Sequence, residues 1–178
     1  MKIRPIHDDE ADAVRRITLG VYLAEFGSLP DDYVAELSDV RGRAQEALVL
    51  VAVADDDTVL GGITYVDRPG PLATIDRPDQ AELRMLAVTP EAQGRGIGTA
   101  LVQACIDQAR ADGKAEVTLH TADSMLAAQR LYERAGFRRR PERDLVVDGG
   151  VGDGGIQLLA YALELQAPSS CRPLGPGS

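Results

Sequence analysis

Apolar residues in this chain keep two rhythms, one alternating or unbroken over strand length and one recurring every three to four positions, and their succession sets out the elements. Residues 1–6 alternate Ile3 and Pro5 against Lys2 and Arg4, which predicts a short edge strand, because proline cannot donate to a sheet. Ala13, Val14, Ile17, Val21, Leu23 and Ala24 then form a helical stripe that Asp8 or Asp9 is placed to cap. Asp31 and Asp32 stand where a second helix, running to about residue 43, would begin. Residues 47–54 are almost unbroken in apolar character, the mark of a strand buried on both faces. The acids Asp55, Asp56 and Asp57 turn the chain into a partner strand over 58–66, where Gly61 and Gly62 predict a bulge. Residues 67–80 carry three of the ten prolines and read as a loop, placed to lie over a substrate.

The stretch 82–109 organises the rest. Residues 82–88 are short and apolar enough for a strand, which Thr89 and Pro90 stop. Gly94, Gly96 and Gly98 follow, after which Ile97, Leu101, Cys105 and Ala109 recur every fourth residue on one face of a helix. Asp112 and Gly113 end that helix, and residues 115–120 form another strand. Residues 121–124 lead into a helix carrying Tyr132, with Gly136 at its end. Residues 137–147 and 156–165 read as a closing antiparallel pair joined by the glycine-rich DGGVGDGG. From residue 166 the composition turns to Pro, Ser and Gly, which predicts one domain over 1–165 and a disordered tail over 166–178.

Strand, glycine turn and helix in that order suit a phosphate. The first N–H groups of a helix lack intrahelical partners and carry partial positive charge, and glycines let a ligand approach the backbone. A side chain at Gly96 or Gly98 would occupy the space that phosphate oxygens need, while Gln93 and Arg95 can add donors. A P-loop is excluded because no lysine follows the glycines, and a dinucleotide fingerprint fails because Thr99 stands at its third glycine position. A tight strand-to-helix loop without a ligand remains open on these residues alone.

The run Gln93-Gly94-Arg95-Gly96-Ile97-Gly98, after a strand ending in Ala87-Val88, resembles the coenzyme A motif of the GNAT superfamily of N-acetyltransferases. A second block, Ala128 to Phe137 with Leu131-Tyr132 and a closing Gly136-Phe137, resembles the helix that follows in that family. The resemblance covers roughly residues 1–165 and implies a mixed α/β fold. Its sheet would be mostly antiparallel and splayed, of about seven strands flanked by about four helices. It implies acetyl-CoA as co-substrate and transfer of the acetyl group to a primary amine of a small molecule or peptide by direct attack in a ternary complex. An acyl-CoA sensor without turnover is the alternative, and homodimers are common among proteins of this kind.

The resemblance also carries roles onto residues. Leu86, Ala87, Val88, Gln93, Gly94, Arg95, Gly96, Ile97, Gly98 and Thr99 would hold the coenzyme, with the Leu86 N–H on the thioester carbonyl oxygen. Tyr132 would face the coenzyme sulfur and donate a hydrogen bond as charge develops there. Glu82 would take the amine's proton through water; its other reading is a strand-end carboxylate in solvent. That step matters because an alkyl ammonium is neutral in only about one molecule in two thousand at pH 7. The family's asparagine on the coenzyme arm is here Met125, so either neighbouring Ser124 substitutes or the contact is absent. Tyr22, Phe26 and Tyr33 fall where the family's connection between its first helices borders the acceptor pocket; their other reading is simple packing.

Composition narrows the partners. A net charge of −9 argues against nucleic acid and is compatible with a cationic substrate. No apolar run approaches the roughly 20 residues that span a bilayer, and the start lacks an apolar signal core, so a cytoplasmic protein that binds no membrane is expected. Cys105 and Cys171 do not form a framework, Cys105 reads as a small core residue, and with His7 and His120 they give no metal-ligand spacing.

Overall fold

The computed structural model describes residues 1–147 and 155–165. Among these, eight strands form one sheet: β1 (Lys2–Pro5), β2 (Leu48–Val53), β3 (Val59–Val66), β4 (Gln80–Val88), β5 (Glu116–Ala122), β6 (Arg138–Arg139), β7 (Leu145–Val147) and β8 (Ile156–Glu164). The order is β1-β2-β3-β4-β5-β8-β6, with β7 also paired to β8. Every pairing is antiparallel except that of β4 with β5. The helices are α1 (Ala11–Phe26), α2 (Asp31–Ser38), α3 (Val40–Glu46), α4 (Ile97–Ala111) and α5 (Leu126–Arg134). No helix among the described residues is long and apolar enough to cross a membrane.

The predicted stripe on α4 is the face that makes the core. Ile97, Leu101, Cys105 and Ala109 are buried together with Val102 and Ile106 against Leu50, Tyr65, Leu83 and Leu119 of the sheet. Each large apolar side chain buried this way contributes about 1.5–3 kcal/mol. A second cluster, Ala11 and Val14 of α1 with Val40, Val51 and Val53, closes the other face. Residues 49–53 of β2 are buried on both faces for this reason.

Two irregularities in β4 decide where a ligand can enter. Its pairing with β5 covers only Gln80–Leu83 against Glu116–Leu119, so the strands part beyond Leu83. Against β3, Gly62 pairs with Ala87 and Thr64 with Arg84, which leaves Met85 and Leu86 without Cα partners in a bulge. Met85 takes φ 57° there, a backbone region that costs a non-glycine residue free energy and is held by the surrounding sheet. Gly61 permits the close pairing, since a Cβ on it would lie 2.6 Å from the Ala87 carbonyl oxygen.

Several expectations change in detail. The entry to α1 is not capped by Asp8 or Asp9: a 3₁₀ turn spans Asp8–Glu10, and the Glu10 carboxylate reaches back to the His7 N–H at 2.8 Å. The single helix expected over 31–43 is two. Asp39 leaves helical geometry at φ −82°, ψ 66° and its Oδ1 accepts from the Gly42 N–H at 2.9 Å, so it caps α3 instead of continuing α2. Asp31 and Asp32 lie in the first turn of α2, with Pro30 before them. The strand expected over 137–147 is interrupted by a 3₁₀ turn at Pro141–Arg143, because Pro141 cannot donate to β8. These divisions account for the extra strand and helix. Most of the glycine-rich DGGVGDGG connection and all of the tail over 166–178 lie outside the described residues.

Candidate active site

A cavity of about 440 Å³ opens where β4 and β5 part, within the range of small-molecule sites. Glu82, Leu86 and Tyr132 all line it, as do Tyr22, Phe26 and Tyr33. Residues from 22 to 158 therefore meet at one place that no local pattern could specify.

Glu82 is 2% exposed, which excludes a strand-end carboxylate in solvent. Burial of a charge requires hydrogen bonds, and Thr74 supplies two: its N–H donates to Oε2 at 2.6 Å and its hydroxyl to Oε1 at 3.1 Å. Arg84, also on the cavity wall, pairs with Glu36 of α2 at 2.9 Å and donates to the Leu72 carbonyl. The 67–79 connection is thereby fixed where its Thr74 lines the cavity.

Tyr132 is 7% exposed, with its ring 5.9 Å from that of Phe137 and 6.4 Å from that of Tyr161. Burial, and less so the neighbouring Cys105, raises its phenol above the usual range, so the hydroxyl keeps its proton. That hydroxyl has no hydrogen-bond partner among the described residues. Cys105 is buried inside α4, its thiol pushed up to about 12 by burial, as suits a core residue.

Elsewhere on the cavity wall, Tyr22 stands 6.2 Å from both Phe26 and Tyr33, ring centre to ring centre. Burial raises the phenols of Tyr22 and Tyr33, so both remain neutral donors. His120, Met125, Leu145, Val147, Ile156 and Leu158 complete much of the far wall. The His120 Nε2 lies 3.1 Å from the Arg143 carbonyl oxygen, which can only accept, so this nitrogen carries the proton.

At the other end of β4 the glycine turn opens α4. Gly94 and Gly96 have φ 73° and 78°, and Gly96 is the residue before the first helical turn. Ala100 is the first residue there whose N–H reaches a carbonyl, that of Gly96 at 3.0 Å. Among the described residues, the amides of 94–99 have no acceptor, and Arg95 has no acidic partner. At Gly98 a Cβ would meet Leu131 Cδ1 at 2.9 Å, so its missing side chain serves the contact of α4 with α5. Gln93 turns back to donate to the Val88 carbonyl at 3.1 Å. Ser124 does not join the cavity, because its hydroxyl donates to Glu25 of α1 at 2.6 Å, while Met125 lines the cavity beside it.

The free amides, the unpaired edge of β4 beyond Leu83 and the empty space above Gly96 fit a diphosphate joined to an extended arm. The fold is a splayed, mixed α/β sheet whose cleft between β4 and β5 lies beside a glycine turn with unpaired amides. Residues 11–137 match the model of the Acetyltransferase (GNAT) family, and the chain belongs to that family. Mycothiol acetyltransferase of Kocuria rhizophila is 32% identical over 146 residues, 78% of this chain and 46% of that protein. That of Sanguibacter keddieii is 33% identical over 141 residues, 76% of this chain and 42% of that protein. The chain thus spans less than half the length of these curated relatives. Among solved structures, yncA of Salmonella typhimurium with its cofactor acetyl-CoA has a TM-score of 0.72 at 23% identity, covering 97% of this chain and 98% of its own. Ribosomal-protein-alanine N-acetyltransferase of Brucella melitensis has a TM-score of 0.70 at 22% identity, covering 93% of this chain and 100% of its own. Both likenesses are of fold. The mixed, splayed sheet that the sequence resemblance implied is the one observed.

Proposed function

We propose that residues 1–165 transfer an acetyl group from acetyl-CoA to a primary amine by direct attack in a ternary complex. The observation that carries this reading is that Glu82, the β4 bulge at Leu86 and Tyr132 line one cavity, on the strand that leads into the unpaired amides of 94–99.

Acetyl-CoA supplies an activated thioester, and the chain supplies position and charge. The amides of Gly94, Arg95, Gly96, Ile97, Gly98 and Thr99 hold the diphosphate, with Arg95 adding a cation from the exposed side. Leu86, Ala87 and Val88 offer a strand edge to the pantetheine arm, and the Leu86 N–H steadies the carbonyl oxygen. Glu82 takes the ammonium proton through water, which offsets a cost of about 4 to 5 kcal/mol for presenting a neutral amine at pH 7. Tyr132 donates its hydrogen bond to the departing sulfur; full proton donation is uphill by about 2 kcal/mol for an ordinary phenol and thiol, by more for this buried phenol, and is not required. Tyr22, Phe26 and Tyr33 enclose the body of the amine.

The test is a panel of amines with acetyl-CoA, read by thiol release and by mass spectrometry of the product. The panel holds a polyamine, an aminoglycoside, amino acids, peptide N-termini and the acceptor of the mycothiol acetyltransferases. Gain of one acetyl group on at least one member is expected. Tight coenzyme binding with no product across the panel would mark an acyl-CoA sensor instead.

A further inference from the structure

Thr74 belongs to the β3–β4 connection, a segment whose proline content marks it as loop and whose residues carry no periodic signal. Both hydrogen-bonding groups of this one residue end on the two oxygens of one buried carboxylate, at 2.6 Å and 3.1 Å. A carboxylate pivots about its last torsion with little resistance, and two donors on different oxygens remove that freedom. The loop that brings Thr74 is itself tied down on both sides. Leu72 accepts from Arg84, which is held by Glu36 of α2 at 2.9 Å, and Lys114 at the end of α4 donates to the Asp67 and Pro78 carbonyls. Thr74 is exposed while its partner is buried, so the residue covers the carboxylate from the solvent side.

From this geometry we infer that Thr74 is a positioning residue for Glu82: it fixes the carboxylate plane so that the remaining lone pairs point into the cavity toward the amine or its water. The inference rests on the reading of Glu82 as the base. It assigns a role in the reaction to a loop that neither the glycine turn nor the tyrosine helix reaches.

The test compares Thr74→Val, Thr74→Ser, Glu82→Gln and the double variant Thr74→Val/Glu82→Gln. The probe is acetyl-CoA with the panel amine that the native chain turns over fastest. Valine keeps the N–H and the shape but loses the hydroxyl donor, and serine restores it. The expected result is a fall in kcat of about tenfold for Thr74→Val, with both KM values and the melting temperature close to native. Thr74→Ser should recover most of the loss, and the double variant should be no slower than Glu82→Gln alone. Native turnover in Thr74→Val beside a slow Glu82→Gln overturns the inference and leaves the base standing. So does an equal loss in the serine variant, which would point to loop packing. A Glu82→Gln variant as fast as native, or no turnover by the native chain with any amine, overturns the base reading and this inference with it.

Discussion

Gly98 and Leu131 touch: a Cβ built on the glycine would sit 2.9 Å from the leucine Cδ1. The last glycine of the turn therefore settles how closely α5, with Tyr132 on it, approaches α4. Gly96, two residues earlier, has open space above it but φ 78°. The two alanine variants should separate accordingly. Gly98→Ala should stay within about 1 kcal/mol of native stability, because the gain in helix propensity offsets the shift of a flexible leucine end, and should keep coenzyme affinity. Gly96→Ala should lose about 1–2 kcal/mol, the cost of the left-handed region, and bind coenzyme A more weakly. Denaturant titration and calorimetry with coenzyme A check both.

Tyr132→Phe should slow turnover by about tenfold or more, with acetyl-CoA binding unchanged, because only a hydrogen bond to the developing charge is removed. Burial raises this phenol, so the native protein should show no activity limb from its deprotonation below about pH 10. Steady-state kinetics across pH, in parallel with coenzyme titration, checks both statements.

Phe26→Ala and Tyr33→Ala should raise KM for the amine by about tenfold while leaving KM for acetyl-CoA near native, since the rings line the cavity and, on the proposed function, enclose the amine. A matching rise in both KM values would mean that these rings support the fold and not the amine.

Asp144, just before β7, is tied to β6 and β8. Its carboxylate accepts two bonds from Arg139, at 2.7 and 2.8 Å, and one from the Ala160 N–H at 2.8 Å. The Arg139 guanidinium, then the Ala160 amide, holds this carboxyl below the usual range. A lowered carboxyl contributes stability that is fully present above its unfolded value of about 3.9 and is lost as pH falls through the folded value. Asp144→Asn should therefore melt below native at pH 7, and the difference should begin to shrink as pH falls below about 4 and vanish only below the lowered folded value. Thermal melts at several pH values check the sign.

What the sequence disclosed was local. Gly96 followed by the four-residue spacing of Ile97, Leu101, Cys105 and Ala109 specifies a turn and a buried helix face through neighbours alone, and the apolar run of β2 specifies a central strand. Glu82, Tyr132, Tyr22, Phe26 and Tyr33 were reached through family resemblance, and they do line one cavity. Thr74 and Glu36 escaped notice because their significance lies in partners on other elements, Glu82 and Arg84. The β4 bulge was equally hidden, for it is a mismatch of register with β3 that no residue of β4 announces. The contact of Gly98 with Leu131 was hidden as well, because the spacing of α5 against α4 is a tertiary fact. Arg84, a charge flanked by Leu83 and Met85 in a strand, did give a signal in the sequence.

A crystal structure with acetyl-CoA tests the central claim most directly. The account predicts the diphosphate within hydrogen-bond reach of the amides of residues 94–99, the arm along Leu86–Val88, and the sulfur facing Tyr132. Density for the coenzyme elsewhere on the chain, or those amides turned to protein acceptors with the ligand present, would contradict it.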